Sequence, residues 1–222
     1  MRFQDAALDA RAVVYAGIQA DPLVARVAQL VLEATPAERW FARAVMNGER
    51  TEPDAWRRMF PALFGSAAEP ALRAHAEAVL EASLQVANRG EAARSQYRGA
   101  MVEELTARLL VGRKGPVKRE RRVLFDGVRA EIHPYDVTVE SAEKPEVYDC
   151  KWGARGINAD VLNQLDDARA HAADEDVAMT VALVIYDARR SCETRLDRAT
   201  ANHDKTGLVA IEDLDGLAAP RR

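Results

Sequence analysis

The pattern of the sequence changes after the segment "GRKGP" at 112–116. Before it, capped helical stretches follow one another along the chain. After it, apolar residues occur in short runs rich in Val, Ile, Tyr and Phe that turn residues separate, which is typical of β-strands. These runs are "RRVLF", "YDVTV", "EVYDCKW", "AMTVALVIYD" and "GLVAIEDL". The change predicts a helical part followed by a part that is built on a β-sheet.

The helical part contains clear signals for helix starts. Asp21-Pro22 and Thr35-Pro36 each place a capping side chain before a proline at the first helical position. Glu38 completes a capping box with Thr35. We predict helices near 5–19, 22–34, 36–47, 52–60, 67–88 and 92–111. No segment before the change of pattern is predicted to form a strand.

The order of the later elements indicates a mixed sheet. Three strand-like runs follow one another directly, which favours an antiparallel meander. Helical stretches near 158–173 and 189–203 then separate the remaining runs, and a strand-helix-strand order favours a parallel pair. The sequence therefore predicts an α/β (α+β) fold with a mixed central sheet flanked by helices. We expect an all-helical accessory domain at 1–90 and the sheet domain at 91–222.

Composition excludes several classes of protein. The formal net charge of −4 over 222 residues argues against coating of nucleic acid through bulk charge, although a local basic patch can still bind it. No apolar stretch approaches the roughly 18 residues that indicate a membrane span. Two cysteines provide neither a disulfide framework nor a CxxC metal clip. We therefore expect a cytoplasmic protein without a membrane partner.

The strand-like segment "VYDCKW" at 147–152 carries two charged side chains. Because side chains alternate along a strand, Asp149 and Lys151 share one face, while Tyr148 and Cys150 share the other. Asp136 lies on the corresponding face of the preceding strand. We expect these strands to bury one face and to present the charged residues on the other. Carboxylates beside a lysine suggest a divalent cation site, because Mg²⁺ prefers oxygen ligands.

Asp136, followed thirteen positions later by Asp149-Cys150-Lys151, resembles the PD-(D/E)xK signature of restriction-endonuclease-like nucleases. The core of that family is a helix, a three-stranded meander, a helix and a strand, which is the order predicted from residue 92 onward. Many members carry an acid just after a glycine on the first core helix, and Glu103 after Gly99 matches that position. Gln164 matches a polar position on the helix after the lysine strand. The proline of the signature is not adjacent to the acid here.

The resemblance implies a restriction-endonuclease-like fold and hydrolysis of DNA phosphodiesters with Mg²⁺ or Mn²⁺, in defence or repair. Asp136 and Asp149 would bind the metal, and Glu103, or the neighbouring Glu104, would complete the site. Lys151 would orient or help deprotonate the attacking water, or neutralise charge that develops on phosphorus. The partner would be DNA; a homodimer and a protein partner bound through the helical domain both stay open.

The run "GRKGPVKRERR" at 112–122 is the densest basic segment. It either contacts DNA phosphates or is a solvated loop and strand edge, where charge blocks edge pairing. The first interpretation assigns DNA contacts to Lys118, Arg119, Arg121 and Arg122.

Each candidate site residue also has a simpler interpretation. Asp149 and Lys151 could be an exposed ion pair, worth about 0–1 kcal/mol. Glu103 could be a solvated glutamate and Gln164 a helix-surface glutamine. His133 either lies near the site or is an ordinary histidine at a strand edge.

Two other functions compete with the nuclease. One is a non-catalytic subunit that binds nucleic acid or protein on the same fold. The other is a helical interaction protein whose sheet part is only a scaffold. The complete set of Asp136, Asp149 and Lys151 favours the nuclease.

Overall fold

The structure, a computed structural model, describes residues 1–6, 10–48, 52–129, 133–199 and 201–218. The chain divides into two compact units. The sheet unit comprises Met1–Asp9 and Thr106–Arg222, and the helical unit comprises Ala10–Leu105. The division therefore falls within a helix, and the first residues of the chain belong to the sheet unit. None of the helices in the described ranges is long and apolar enough to cross a membrane.

Within the described residues, the helical unit contains the six predicted helices in order and one further short helix in a segment that was predicted to be a loop. They are α1 (Ala10–Gln19), α2 (Pro22–Glu33), α3 (Pro36–Asn47), α4 (Pro53–Met59), α5 (Pro61–Phe64), α6 (Pro70–Ala87) and α7 (Glu91–Leu109), whose last turn enters the sheet unit. Asp21 accepts a hydrogen bond from the amide of Leu23 at 2.8 Å, and the capping box of Thr35 and Glu38 is present. Helix α6 begins later than predicted, at Pro70, because proline is well suited to the first helical position.

The core of the helical unit lies between α2, α3 and α6. Phe41 on α3 is fully buried and contacts the rings of Trp56, Phe60 and Phe64 edge to face. Apolar side chains at helical spacing thus form an ordinary core, as the sequence pattern predicts.

The sheet unit contains a mixed sheet, as predicted. Its strands are β1 (Arg2–Asp5), β2 (Val117–Phe125), β3 (Val128–Arg129), β4 (Tyr135–Val139), β5 (Glu146–Lys151), β6 (Thr180–Ile185) and β7 (Gly207–Val209). The order across the sheet is β1-β2-β4-β5-β6-β7, with β3 paired to β2. Strands β2, β4 and β5 form the antiparallel meander, and β5, β6 and β7 are parallel.

Strand β1 was not expected, because no strand is predicted before the change of pattern. It pairs antiparallel with β2, with Phe3 opposite Val123. Four residues are too short to show a period, and the partner lies more than a hundred residues further along the chain. Within 112–122, Arg121 pairs with β1 on one side and with β4 on the other, so the interpretation as a strand edge is wrong for that residue.

Helices of the sheet unit are α8 (Ala159–Asp174), α9 (Arg189–Leu196) and α10 (Leu214–Ala218), with 3-10 turns at Ala154–Gly156 and Ile211–Asp213. Helix α8 connects the parallel strands β5 and β6 and packs its apolar side on the sheet. Leu162 and Leu165 share one buried cluster with Val147 and Leu183.

Strand β5 is covered on both faces, so the expectation of one buried and one open face is wrong. Val147, which shares a face with Asp149 and Lys151, is fully buried in the cluster under α8. On the other face, the Cys150 thiol donates to Thr106 Oγ1 at 3.5 Å. The crossover helix of a parallel pair covers the sheet, and the charged residues therefore lie at the margin of a core.

Candidate metal centre

The antiparallel pairing of β4 and β5 brings the signature residues together. Val137 lies opposite Tyr148, so that Asp136 and Asp149 each lie one residue beyond this pair. Lys151 Nζ is 2.5 Å from Asp149 Oδ1 and 3.7 Å from Asp136 Oδ2. One ammonium group therefore contacts the carboxylates of two neighbouring strands.

Asp136 is held in a fixed orientation. Its Oδ2 accepts a hydrogen bond from the backbone amide of Cys150 at 2.6 Å. Asp136 is only half-buried, and a carboxylate oxygen can accept more than one hydrogen bond. The backbone of β5 thus orients the carboxylate on β4 and leaves acceptor capacity for a further ligand.

Burial shifts the titration of both charged residues on β5. Asp149 is 9% exposed, and burial raises the pKa of its carboxyl against the opposing charges of Lys151 and His133. Burial by itself would lower the pKa of Lys151, but Asp136 and Asp149 outweigh it and raise that pKa above its ordinary value. The ammonium of Lys151 thus interacts with two carboxylates at once, and this attraction outweighs the cost of its burial.

Glu120 on β2 is an acid of this site that sequence analysis missed. It lies between Arg119, opposite Val137, and Arg121, opposite Tyr135. Its carboxylate oxygen lies within 4.8 Å of that of Asp136. The backbone of Glu120 has a φ of 52°, in the left-handed region that costs a non-glycine residue roughly 1–2 kcal/mol. Strain of this kind is often found at functional sites.

Glu103 on α7 is buried within the helical unit, so its interpretation as a solvated glutamate is wrong. The residue is 4% exposed and accepts hydrogen bonds from the hydroxyl of Tyr15 at 2.5 Å and from Gln19 Nε2 at 2.7 Å. A side chain at Gly99 would place its Cβ 3.1 Å from the Tyr15 hydroxyl oxygen. Gly99 therefore leaves room for the tyrosine that orients the carboxylate.

Two acids of the sheet unit, Glu120 and Asp136, could hold a metal ion. Both offer carboxylate oxygens, the donors that Mg²⁺, Mn²⁺ and Ca²⁺ prefer. Glu103 and Asp136 are also among the ligands that the family resemblance implies. Asp149, the third of those ligands, is the close partner of Lys151.

Gln164 on α8 is buried, so its interpretation as a helix-surface glutamine is wrong. Its side chain donates to the carbonyl of His133 at 3.0 Å and accepts from the His133 amide at 3.1 Å. The hydroxyl of Tyr135 donates to the Gln164 carbonyl at 3.3 Å. Gln164 therefore anchors the segment that leads into Asp136. His133 is exposed and lies close enough for its charge to affect the Asp149 pKa.

The turn after β5 packs directly against Lys151. A Cβ at Gly156 would lie 2.8 Å from Lys151 Cδ and 3.0 Å from its Cβ. Asp187 Oδ2 accepts from the amide of Ala154 at 3.0 Å, and the Tyr186 amide donates to the Lys151 carbonyl at 2.9 Å. Sequence analysis did not identify Gly156 and Asp187 as part of the site, because they come near Lys151 only when the turn is folded.

The basic residues of β2 do not form one uniform surface. Lys118 is exposed, whereas Arg119 and Arg122 are half-buried. Arg121 pairs with Glu140, at 2.5 Å between Nε and Oε1, and with Asp5. Carboxylate partners already offset the charge of Arg121. The four residues therefore differ in how much positive charge is available to bind a phosphate.

Comparisons of the chain with protein-family models, with curated proteins and with solved structures gave no match. The chemistry of the site is therefore inferred from its own residues. They combine the carboxylates of Glu120, Asp136 and Asp149 with one lysine ammonium in the sheet unit.

Proposed function

We propose that this chain is a metal-dependent nuclease that hydrolyses phosphodiester bonds of DNA, on a restriction-endonuclease-like core. The observation that carries the proposal is the contact of Lys151 with both Asp136 and Asp149 on adjacent strands. Glu120, next to Asp136, adds a further oxygen ligand. An exposed surface ion pair would not need a second acid in contact with the lysine and a third acid beside the second.

The residues fit a divalent cation such as Mg²⁺ or Mn²⁺. Asp136 and Glu120 would hold it, and Asp149 would join them. Asp149 Oδ1 is buried, and no described group other than Lys151 approaches it as a donor. When bound, the ion supplies a water of lowered pKa and neutralises negative charge on the phosphate.

The other residues orient the reacting groups. Lys151 places a positive charge beside the two aspartates, where it orients the attacking water or neutralises charge that develops on phosphorus. The oxygen of water bonds to phosphorus as the water gives up a proton, the phosphodiester P–O bond breaks, and the leaving alkoxide oxygen takes a proton to become an alcohol. Hydrolysis by this route needs no covalent enzyme intermediate.

A substrate panel tests this function. The purified chain is incubated with plasmid, linear, single-stranded and branched DNA, and with RNA, in Mg²⁺ or Mn²⁺ and in excess chelator. We expect cleavage of at least one DNA substrate that chelator abolishes. The Asp149→Ala/Lys151→Ala double variant serves as the inactive control. DNA binding without cleavage of any substrate would instead indicate a non-catalytic binding subunit.

The basic residues of β2 give a second prediction. Replacing Lys118, Arg119, Arg121 and Arg122 together by alanine should weaken DNA binding and flatten its dependence on salt, by about 0.9 in slope for each duplex phosphate that is no longer bound. Arg121→Ala alone should change the slope least, because Glu140 and Asp5 already offset its charge. Fluorescence anisotropy with a labelled duplex over a salt series measures the affinity and its salt dependence for each variant. An unchanged slope in the quadruple variant would assign these residues to the solvated surface.

Gly156→Ala tests the placement of Lys151. The added methyl would overlap with Lys151 and displace it, so we expect cleavage to fall about 10- to 100-fold, as small misplacements of catalytic groups do. Gly112→Ala is the matched control, since a Cβ there meets nothing within 4 Å. Single-turnover cleavage rates compare the two variants. Equal rates would show that the turn does not position the lysine.

A further inference from the structure

A cavity of about 180 Å³ lies in the sheet unit, between the start of α8 and the C-terminal end of α9. It is distinct from the group of carboxylates around Lys151. Its lining residues are Ile157, Asn158, Ala159, Arg195, Arg198 and Ala199. The charged side chains of this lining are both arginines, which suggests an anionic ligand.

The guanidinium groups of Arg195 and Arg198 differ from that of Arg189 in their partners. Arg195 Nε donates to the carbonyl of Ile157 at 3.1 Å, which anchors the guanidinium at the wall of the cavity. In the part of the chain that the structure describes, neither Arg195 nor Arg198 has a carboxylate partner. This distinguishes them from Arg189 on α9, which pairs with Asp213 and Glu193. Two guanidinium groups of this kind at one cavity are suited to a phosphate, which Arg binds through parallel N–H donors.

The first turn of α8 forms another part of the wall. Asn158 caps the helix by accepting from the amide of Val161 at 3.0 Å, and Ala159 follows it in the lining. The start of a helix of 16 residues adds partial positive charge to that of the arginines. Asp160 in the same turn opposes it, but does not line the cavity.

The cavity is joined to Lys151 by a short chain of neighbouring residues. Gly156 packs against the side chain of Lys151, and Asn158 Nδ2 donates to the Gly156 carbonyl at 3.4 Å. Ile157, between them, accepts from Arg195. A strand whose scissile phosphate lies at Lys151 would therefore pass close to the arginines.

We propose that this cavity binds a phosphate of the nucleic-acid backbone near the one that is hydrolysed, with Arg195 and Arg198 as its ligands. The proposal rests on the proposed function, because the neighbourhood of Lys151 gives the cavity its substrate. Its volume exceeds the roughly 30 Å³ that one water occupies several times over, so it can admit a phosphate group.

The test measures binding of a labelled DNA duplex in excess chelator, so that the result does not depend on cleavage. We expect Arg195→Ala/Arg198→Ala to bind at least about tenfold more weakly, since the variant loses the charge-assisted hydrogen bonds of both guanidinium groups to the phosphate. The slope of the salt dependence should fall by about 0.9, because the variant no longer binds this phosphate. Arg190→Ala/Lys205→Ala is the matched control, because it removes the same charge from exposed residues outside the cavity.

Two results would overturn the proposal. One is binding by Arg195→Ala/Arg198→Ala that equals that of the control pair. The other is unchanged duplex binding together with a loss of thermal stabilisation by inorganic phosphate, which would indicate a site for a free anion. A wild-type chain that binds DNA through these arginines but cleaves no substrate would count against the nuclease and not against the cavity.

Discussion

Replacing Lys151 by alanine is expected to separate cleavage from metal binding. The ammonium contacts Asp136 and Asp149, so its removal takes one positive charge away from their carboxylates and should strengthen the binding of Mn²⁺. Cleavage should fall by at least about 10²-fold, because a positioned cation or proton donor typically contributes that much. Calorimetric titration measures the affinity for Mn²⁺, and single-turnover kinetics measure the cleavage rate, on the same preparation.

The controls for this prediction are two further variants. Asp149→Ala should lose cleavage while Mn²⁺ binding weakens, because it removes a carboxylate and leaves Lys151 in place. Lys114→Ala removes an exposed lysine of the loop before β2 and should change neither quantity. A Lys151→Ala variant that cleaves at the wild-type rate, or that binds Mn²⁺ more weakly while its thermal unfolding is unchanged, would contradict the assigned role of the lysine.

Replacing Glu146 by alanine is expected to cause the largest loss of stability. Glu146 lies at the opposite end of β5 from Lys151, with its Oε1 3.6 Å from Arg113 Nε, and their side chains are 8% and 5% exposed. Glu146 also accepts a hydrogen bond from the hydroxyl of Tyr148. Removal takes a carboxylate away from a buried guanidinium, which also donates to the Leu217 carbonyl at 2.8 Å, and should cost about 3–5 kcal/mol in free energy of unfolding. Urea unfolding followed by circular dichroism measures the loss.

Two comparisons show whether the uncompensated charge is the cause. Glu193→Ala breaks the exposed pair with Arg189 in the same unit and should cost no more than about 1 kcal/mol. The Arg113→Met/Glu146→Leu double variant removes both charges and should recover most of the stability. A cost for Glu146→Ala as small as that of Glu193→Ala would show that the buried pair contributes little.

The approach of Asp136, Asp149 and Lys151 could be predicted from the sequence because it depends on local rules. Side chains alternate along each strand, and a short connection makes neighbouring strands antiparallel. The sequence positions of the three residues therefore determine which face of the sheet they share. The mixed character of the sheet followed in the same way from the order of strands and helices. The helix caps at Asp21 and Thr35 depend on residues only a few positions apart.

Features that depend on distant segments could not be predicted. Strand β1 has no period of its own and exists through its pairing with β2. Val147 is covered because α8 packs back on the sheet, which the alternation within β5 does not reveal. Glu120 lies in a run of basic residues, and neither its positive φ nor its approach to Asp136 has a local signal.

Calorimetric titration of the wild type and of Asp136→Asn with Mn²⁺ tests whether the acids around Lys151 bind a divalent cation. Asp136→Asn keeps the size of the side chain and an acceptor for the Cys150 amide, but removes the charge. We predict that the wild type binds Mn²⁺ at a defined stoichiometry and that Asp136→Asn binds it at least about tenfold more weakly, with the fold unchanged. Absence of saturable binding to the wild type, or equal affinity in the two proteins, would rule out a cation site at these carboxylates.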